Sequence, residues 1–410
     1  MSPGNPLAKI LSLVRRLWWF STQKAPDVGP ARQPLDKPVV HIDVTRISQG
    51  DLRTGIQRVV RQISRHWYQR RDRNVRINFT RVNDRGELVD AWGWARNVIP
   101  TFLPEVDPEG PMIREGDIYL CLDLVMPPKG LSRRKLASLQ ESGVRVVFLV
   151  YDLLSVTHPQ FFRLSSRFFF RWWLRAVQQC DAIITISEDV KLSIEKYLAT
   201  KPRSRKGIPI SAIPLSGEPE QSGDIDNSSA RYDLTKPKGT LFIAVGTIEP
   251  RKGYSDLLDG FDKLWREGDE SSLWIFGRPG WKTRRLQRRI LTHPQYGKNL
   301  EWFSDASDQD IQNGMALADA LIINSYAEGL GLPILEAQEK DLPVIAREIP
   351  VFREIVQAPS VFLPVTQDAK IVAEIVSAFT RAQGTHLTER DLRAVGWEYA
   401  TEAIELSITL

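Results

Sequence analysis

The stretch that decides the fold is Asn324-Ser325-Tyr326-Ala327-Glu328-Gly329-Leu330-Gly331-Leu332-Pro333-Ile334-Leu335-Glu336-Ala337. It follows residues 318–323, an apolar run typical of a buried parallel strand. Gly329 and Gly331 let the next segment approach a ligand closely, and Pro333 suits the first turn of a helix. The pattern predicts a strand, a tight loop and a helix whose N-terminal amides face the carboxyl edge of a sheet, the usual ligand side of an open α/β sheet.

Two acidic residues in this stretch indicate what it binds. Glu328 lies in the predicted loop, and Glu336 lies one turn into the predicted helix. Ionised carboxylates only accept hydrogen bonds, so they suit hydroxyl groups rather than phosphates. We interpret the stretch as a site for a sugar or a ribose beside a phosphate-bearing group. The alternative is a packing loop flanked by two solvated glutamates.

The spacing Glu-x7-Glu around Gly-Leu-Gly-Leu-Pro resembles the signature of the fourth glycosyltransferase family, the retaining glycosyl transferases group 1 with the GT-B fold. The resemblance covers nearly everything from Val39 onward and is most specific over residues 241–355. It implies an α/β protein with two Rossmann-like domains that face each other across a cleft. It also implies a C-terminal helix that crosses back to the first domain, and a bacterial polysaccharide or O-antigen mannosyltransferase-like activity.

A second segment adds positive charge to the predicted site. The apolar strand 241–245 leads into Gly246-Thr247-Ile248-Glu249-Pro250-Arg251-Lys252-Gly253, which resembles the donor-phosphate loop of the family. Arg can bind two phosphate oxygens at once, and Lys acts as a point charge. Many members have Arg where this chain has Thr247, so here the charge depends on Arg251 and Lys252. A solvated loop is the alternative interpretation.

The resemblance assigns roles to individual residues. The implied catalytic residues are Arg251, Lys252 and Glu328. The implied donor-binding positions are Gly55, Gly246, Thr247, Gly277, Gly329, Leu330, Gly331, Leu332 and Glu336. The two cations would hold the diphosphate with help from the amides of residues 329–332, while Glu328 accepts from sugar hydroxyls and Glu336 from the ribose. The departing phosphate would take the proton of the acceptor hydroxyl, so the reaction needs no separate protein base.

Cofactors are not expected, and the reaction is expected to be metal-independent with a nucleotide diphosphate sugar as donor. Asp224-Ile225-Asp226 matches an Asp-x-Asp metal motif, but it lies in a predicted linker, which cannot hold a hard cation in fixed geometry. The cysteines, Cys121 and Cys180, are far apart and lack metal-type spacing, which indicates a reducing compartment.

The first domain is expected to select the acceptor. Its strand 39–44 leads to Gly55 and a helix predicted over residues 56–67, which suits a diphosphate or sugar at the helix N-terminus; a plain β-α turn is the alternative. Many family members have His-Asp after a later strand. This chain has Tyr151 and Asp152 there, and His158 follows. These three are possible cleft residues, although a structural His158 that caps the next helix is the favoured interpretation.

Composition and charge bound the domain organisation and the partners. With 410 residues, 42% of them apolar, the chain has material for two domains. Six basic and two acidic residues lie in 1–37, so this segment carries +4 of the net charge of +5 and the remainder of the chain is nearly neutral. A nucleic-acid binder is therefore not expected. The predicted segments are 1–37 amphipathic helix and tether, 38–217 acceptor-side domain, 218–238 linker, 239–388 nucleotide-sugar domain and 389–410 crossover helix.

Three segments suggest contact with lipid. Residues 7–20 form an amphipathic pattern that ends in aromatic residues and is typical of a helix on anionic membrane; docking on protein is an equal alternative. Between Phe161 and Val177, four arginines recur every fourth residue among aromatics, which favours a helix with a core face and a face suited to lipid headgroups. The arginines of 284–289 form a solvated face or bind an anionic lipid-linked acceptor. No apolar run reaches about 20 residues, and a cytoplasmic, peripheral inner-membrane location is expected.

These patterns predict a retaining glycosyltransferase that moves a mannose-type or similar hexose from a nucleotide diphosphate sugar to a glycan acceptor. The expected acceptor is a lipid-linked glycan in the synthesis of bacterial surface polysaccharide such as lipopolysaccharide. A non-catalytic GT-B scaffold or sugar-nucleotide-binding subunit is the alternative, since Tyr151 and Thr247 depart from the family pattern.

Overall fold

A computed structural model describes residues 28–29, 37–106, 112–125, 129–220, 229–356, 360–364, 369–382 and 396–409. These divide into two compact units, the first comprising Met1–Leu215 with Trp397–Leu410 and the second Ser216–Gly396. The helix predicted over 7–20, the motif at 224–226 and residues 389–395 of the predicted crossover segment lie outside the described residues. Within the described ranges, no helix is both long enough and apolar enough to cross a bilayer.

The first unit is built on a seven-stranded sheet with the order β4-β3-β2-β6-β7-β8-β9, and β1 pairs with β5 beside it. The strands are β1 (Val28–Gly29), β2 (Val39–Asp43), β3 (Arg76–Val82), β4 (Leu88–Asp90), β5 (Ile113–Arg114), β6 (Ile118–Cys121), β7 (Arg145–Val150), β8 (Ala182–Thr185) and β9 (Ile210–Ala212). All pairs in the large sheet are parallel except β3 with β4. Parallel strands covered on both faces explain the nearly continuous apolar runs of β2, β6, β7 and β8.

Helices connect these strands and cover the sheet. They are α1 (Thr45–Ser48), α2 (Gly55–Gln69), α3 (Trp92–Val98), α4 (Arg133–Glu141), α5 (Leu154–Thr157), α6 (Leu164–Val177) and α7 (Glu188–Ala199). Hydroxyl side chains begin three of them, because Thr54, Ser132 and Ser187 each accept a hydrogen bond from a first-turn amide of α2, α4 and α7. The helix predicted over 56–67 is therefore confirmed and extends one residue earlier and two later.

The second unit has an all-parallel sheet with the order β12-β11-β10-β13-β14-β15. Its strands are β10 (Leu241–Val245), β11 (Ser272–Phe276), β12 (Leu300–Phe303), β13 (Ala320–Ile323), β14 (Val344–Arg347) and β15 (Ser360–Leu363). Its helices are α8 (Tyr254–Arg266), α9 (Arg284–Leu291), α10 (Asp308–Leu317), α11 (Leu332–Gln338), α12 (Pro350–Ile355) and α13 (Ala369–Ala382). In chain order the strands read 3-2-1-4-5-6, the Rossmann arrangement, so β10 and β13 flank the point where the winding reverses.

The last helix, α14 (Trp397–Thr409), returns the chain to the first unit, where it packs on α2. Trp397, Ile404 and Ile408 are buried along one face. Glu405 is buried among them, and its carboxylate accepts hydrogen bonds from Trp67 Nε1 at 3.0 Å and from the Asn74 amide at 2.6 Å. A guanidinium nitrogen of Arg70 lies 3.2 Å from the same carboxylate.

Removing this buried carboxylate tests how strongly α14 is held. We expect Glu405→Ala to lower the free energy of unfolding of the first unit by about 3 kcal/mol, because it leaves the N–H donors of Trp67 and Asn74 without their acceptor and removes one of the two carboxylates that contact Arg70. Urea denaturation measures the change. Glu402→Ala, at an exposed position of the same helix, is the matched control and should change stability by less than about 0.5 kcal/mol. Equal effects of the two variants would contradict a locking role.

Candidate functional site

Two loops of the second unit meet at the carboxyl ends of adjacent strands. The cation loop (residues 246–253) follows β10, and the glutamate loop (residues 324–331) follows β13, which pairs with β10. The Tyr326 amide donates a 2.7 Å hydrogen bond to the Arg251 carbonyl, and Asn324 Nδ2 donates at 2.9 Å to the Gly253 carbonyl. The predicted strand, tight loop and helix around Glu328 are thus confirmed as β13, the glutamate loop and α11.

The charged side chains of these loops form one ion-paired cluster. Lys252 Nζ lies 2.5 Å from Glu328 Oε1, and Arg251 is ion-paired with the other oxygen of the same carboxylate. Arg251 Nη2 also lies 3.0 Å from Glu249 Oε1, and Ser325 Oγ donates to Glu328 Oε1 at 2.8 Å. The structure therefore brings Arg251, Lys252 and Glu328 into direct contact, with one carboxylate ion-paired to two cations.

The surroundings set the protonation of the two acids in opposite directions. Burial alone would raise the pKa of Glu328, but the charges of Arg251 and Lys252, with hydrogen bonds from Lys252 and Ser325, lower it to about 2. For Glu249, burial is the larger effect and raises the pKa despite the same two cations. At neutral pH Glu328 is consequently ionised and acts purely as an acceptor.

Glycines allow the strand ends next to this cluster to pack closely. A Cβ added at Gly277, after β11, would lie 1.9 Å from the Gly246 carbonyl oxygen, after β10. At Gly246, where φ is +140°, an added Cβ would lie 3.3 Å from Lys252 Nζ. Only a residue without a side chain fits either position without displacing its neighbour. Of the predicted donor-binding positions, Gly246 thus lies beside Lys252, and Gly277 packs against Gly246 and Thr247.

The other predicted donor positions of this unit lie around the start of α11. Gly331 has φ of +112° and is the N-cap residue of the helix, which begins at Leu332. Leu330 is buried, so its backbone rather than its side chain is the group available to a ligand. Glu336 is buried in the second turn of the helix. The donor role of these residues and of Gly329 stays a prediction.

A buried arginine supports the glutamate loop from behind, and the sequence analysis missed it. Arg347 ends β14 and is completely buried. Its Nε donates to the Asn324 carbonyl at 3.0 Å, and its Nη2 lies 3.2 Å from Asp256 Oδ2. Its guanidinium also stacks 4.0 Å from the centroid of the Tyr326 ring. The sequence signal that could have indicated this role is an arginine at the end of an otherwise apolar strand.

In the first unit, the three possible cleft residues have structural contacts. Tyr151 is buried, and its hydroxyl donates to the Leu122 carbonyl at 2.8 Å. Asp152 Oδ1 accepts a 2.9 Å hydrogen bond from the Leu154 amide, which forms the turn before α5. The favoured interpretation of His158 as a helix cap is wrong for its side chain, which makes no capping hydrogen bond; its Nδ1 lies 3.0 Å from Thr157 Oγ1.

Gly55 begins α2, as the sequence predicted, behind the polar loop that follows α1. Thr54 and Gln57 close a capping box there, so this helix start is held by its own side chains. A diphosphate or sugar at this point stays a prediction. The plain β-α turn, which was the alternative, accounts for the observed contacts equally well.

The first unit also contains a cavity with both polar and apolar lining residues that the sequence analysis missed. Asp43, at the end of β2, and Asp123, just after β6, line it together with Tyr119, Arg133 and Trp172. The Tyr119 hydroxyl donates to Asp43 Oδ2 at 2.6 Å. Burial raises the pKa of Asp123 to about 7. Both aspartates lie at the carboxyl ends of apolar strands, β2 and β6, and an acidic residue in that position was the available signal. Across the described part of the chain, no group of three or more His, Cys, Asp or Glu is placed to hold a metal ion.

The chain is similar to known proteins in both sequence and structure. Residues 227–386 match the family described as glycosyl transferases group 1. The serotype-specific mannosyltransferase WbdA of Escherichia coli is 28% identical over 374 residues, which are 88% of this chain and 44% of that protein. The O-antigen chain mannosyltransferase RfbU of Salmonella typhimurium is 26% identical over 209 residues, 50% of this chain and 53% of that protein. The chain spans about half the length of these curated relatives.

Solved structures support the fold. Sucrose-phosphate synthase from Thermosynechococcus elongatus superposes on this chain with a TM-score of 0.58 at 13% identity. The match covers 91% of this chain and 94% of the synthase chain. Anabaena HepE has a TM-score of 0.52 at 12% identity, with the same two coverages. Two Rossmann-like units with ligand loops at the sheet edge define a protein of the GT-B class. More particularly, residues 227–386 are similar to the glycosyl transferases group 1 family, and the solved structures confirm the predicted α/β GT-B fold.

The low pKa of Glu328 gives a pH-dependent contribution to stability. The folded-state pKa of about 2 is below the ordinary value of 4.5, so the stabilisation is fully present above about pH 5 and is lost as the pH falls towards 2. We expect Glu328→Gln to be less stable than wild type by about 3 kcal/mol at pH 6, and by much less near pH 2.5. Urea denaturation across this pH range measures the difference.

The matched control is Glu270→Gln, at an exposed position of the same unit. It should leave the difference from wild type near zero at every pH. A constant difference between wild type and Glu328→Gln from pH 6 to pH 2.5 would contradict the ion-paired state of Glu328.

Proposed function

We propose that this chain is a retaining glycosyltransferase that moves a hexose from a nucleotide diphosphate sugar to a glycan acceptor. The observation that carries the proposal is the contact of Glu328 with Arg251 and Lys252 at the reversal point of a Rossmann sheet. Cations that can bind a diphosphate thus lie directly beside an acceptor of sugar hydroxyls. The names of the relatives WbdA and RfbU support a mannose-type sugar and a role in bacterial O-antigen synthesis.

The ion pairs suggest how the donor engages the site. In the structure, the Glu328 carboxylate is ion-paired with both Arg251 and Lys252. A diphosphate has more negative charge than one carboxylate and can take the hydrogen bonds of both cations. Glu328 then accepts from the hydroxyl groups of the attached hexose, which lies next to the diphosphate. The same carboxylate therefore serves as the counter-ion of the two cations and, when the nucleotide sugar binds, as a ligand of the sugar hydroxyls.

The transfer step follows from this arrangement. The acceptor hydroxyl oxygen forms a bond to the anomeric carbon on the face from which the phosphate leaves, and the bond from that carbon to the phosphate oxygen breaks. The acceptor proton goes to the departing phosphate, so configuration is retained and no protein base is required. Arg251 and Lys252 stabilise the charge that grows on the leaving group. Because two fixed cations supply this charge, we propose a metal-independent reaction.

The proposed acceptor is a lipid-linked glycan, and the proposed location is the cytoplasmic side of the inner membrane with peripheral contact. The basic, aromatic pattern of residues 7–20 and the O-antigen relatives support this assignment. A non-catalytic sugar-nucleotide-binding scaffold is the weaker alternative, because the cations and the glutamate that transfer requires are together in one cluster.

Turnover by variants of the cluster tests the proposal. Purified protein is incubated with bacterial membranes and a panel of radiolabelled UDP-, GDP- and dTDP-hexoses, and label in the lipid fraction is counted. We expect Lys252→Ala and Glu328→Ala to lose at least about 100-fold in transfer while circular dichroism shows a folded chain. Arg266→Ala, at the exposed C-terminal end of α8, is the control and should stay active. Full activity of either cluster variant would contradict the site, and no transfer by wild type from any donor would favour the scaffold.

The counter-ion role of Glu328 predicts opposite effects on anion binding. Glu328→Gln should bind inorganic pyrophosphate about tenfold more tightly than wild type, because a competing carboxylate charge is removed from both cations. Lys252→Ala should bind it more weakly. Isothermal titration calorimetry measures both, with Glu270→Gln as the unchanged control. Weaker pyrophosphate binding by Glu328→Gln would show that the carboxylate organises the cations rather than competing for them.

A further inference from the structure

Helix α6 presents an outward face that the proposed donor chemistry does not use. Its inward face is buried in the core of the first unit through Phe170, Trp173, Leu174 and Val177. Outward lie positions 164, 168, 171 and 175, which follow one another at helical spacing and are all exposed. The predicted core face of this helix is thereby confirmed, and its other face is open to solvent.

The outward face, which we name the α6 ridge, has an apolar half and a cationic half. Leu164 is 77% exposed and Phe168 is 55% exposed, so two large apolar side chains protrude from the first turns. Arg171 and Arg175 continue the same line. The Phe168 ring lies 6.5 Å from that of half-buried Trp172, which widens the apolar half.

Further positive charge borders the ridge. Arg163 precedes the helix and Arg167 lies beside Phe168. On the neighbouring helix, Tyr197 interacts electrostatically with Arg171 and Arg175, and Lys201 Nζ lies 4.9 Å from the centroid of the Tyr197 ring. Among the residues that the structure describes, no carboxylate forms a salt bridge with any of the α6 arginines. The border therefore carries positive charge that no salt bridge of the described residues offsets.

We propose that the α6 ridge binds an anionic membrane surface, with Leu164 and Phe168 in the boundary between headgroups and acyl chains and Arg171 and Arg175 on lipid phosphates. Protruding apolar side chains beside arginines match a boundary that is apolar on one side and negatively charged on the other. Arginine can hold its guanidinium at the phosphates while its stem lies along the apolar boundary.

The shape and chemistry of the ridge favour a membrane over other partners. Leu164 offers no stacking face, so a nucleic acid would gain from the arginines but leave the most exposed side chain in water. A second protein would need acidic groups set around an apolar pocket, whereas a bilayer supplies both properties over its whole surface. Exposed Leu and Phe at adjacent turns of one helix also exceed the scattered single apolar residues normal on a surface.

This inference goes beyond the proposed function, because it concerns a described surface of the first unit rather than residues 7–20. It does not rest on glycosyl transfer, and its readouts are independent of turnover. Loss of transfer with intact membrane binding, or the reverse, would separate the two proposals.

A fluorescent label at the ridge gives a local readout in the full chain. Cys121 and Cys180 are both buried, so Phe168→Cys adds an accessible thiol that takes an environment-sensitive dye. We expect a blue shift of the dye with vesicles of phosphatidylcholine containing about one third phosphatidylglycerol, and little shift with phosphatidylcholine alone. Leu103→Cys is the control, since Leu103 is 72% exposed elsewhere in the same unit.

Vesicle sedimentation of unlabelled variants gives the second readout. Arg171→Gln/Arg175→Gln should weaken partition into the anionic vesicles by about tenfold or more, and Leu164→Ser/Phe168→Ser by a similar factor. The control Arg85→Gln/Arg96→Gln removes the same charge from exposed positions near the opposite edge of the sheet. It should retain most of the binding.

Three results would overturn the proposal. The first is a dye at position 168 that stays in water while the protein sediments with vesicles. The second is an equal loss in the ridge and control arginine variants, which would indicate attraction by net charge alone. The third is a blue shift without vesicles that grows with protein concentration, which would assign the ridge to a second copy of this chain.

Discussion

Contact between Glu328 and the cations Arg251 and Lys252 joins two loops that follow neighbouring parallel strands, β10 and β13. The carboxyl ends of parallel strands lie at one edge, and here the winding reverses between them, so the loops face a common space. The ion pairs then fix how the loops meet. An anion that binds the two cations would compete with Glu328 for their hydrogen bonds.

The surrounding structure holds these pairs in place. Arg347 is buried behind the glutamate loop, where it binds the Asn324 carbonyl and lies against Tyr326. Glycines at 246 and 277 let the strand ends approach until carbonyl and Cα are in contact. Charged groups can be partly buried where neighbouring groups supply hydrogen bonds or opposite charges to them. Arg347 and the two glycines thus hold the cation loop and the glutamate loop in the positions at which their ion pairs form.

The sequence predicted most of the second unit, because its strands and helix starts carry strong local signals. An apolar run, two glycines and Pro333 were enough to place β13, the glutamate loop and α11. The first unit was less predictable. Tyr151 follows a strand at the expected edge, yet tertiary packing buries it and its hydroxyl binds a backbone carbonyl. The sequence position of His158 suggested a helix cap. In the structure its ring is instead oriented towards the Thr157 hydroxyl, a contact that residue propensities do not predict.

By itself, the sequence determined the α/β class, the family resemblance and the identity of the cations and acids near the sheet edge, because these depend on local periodicity and residue type. Tertiary structure alone decided which charges are paired. Glu328 and Lys252 are far apart in the chain, and only the parallel pairing of β10 with β13 brings them within 2.5 Å. It likewise decided that Arg347 is buried and that Phe168 is exposed, since burial depends on what packs against a residue rather than on the residue itself.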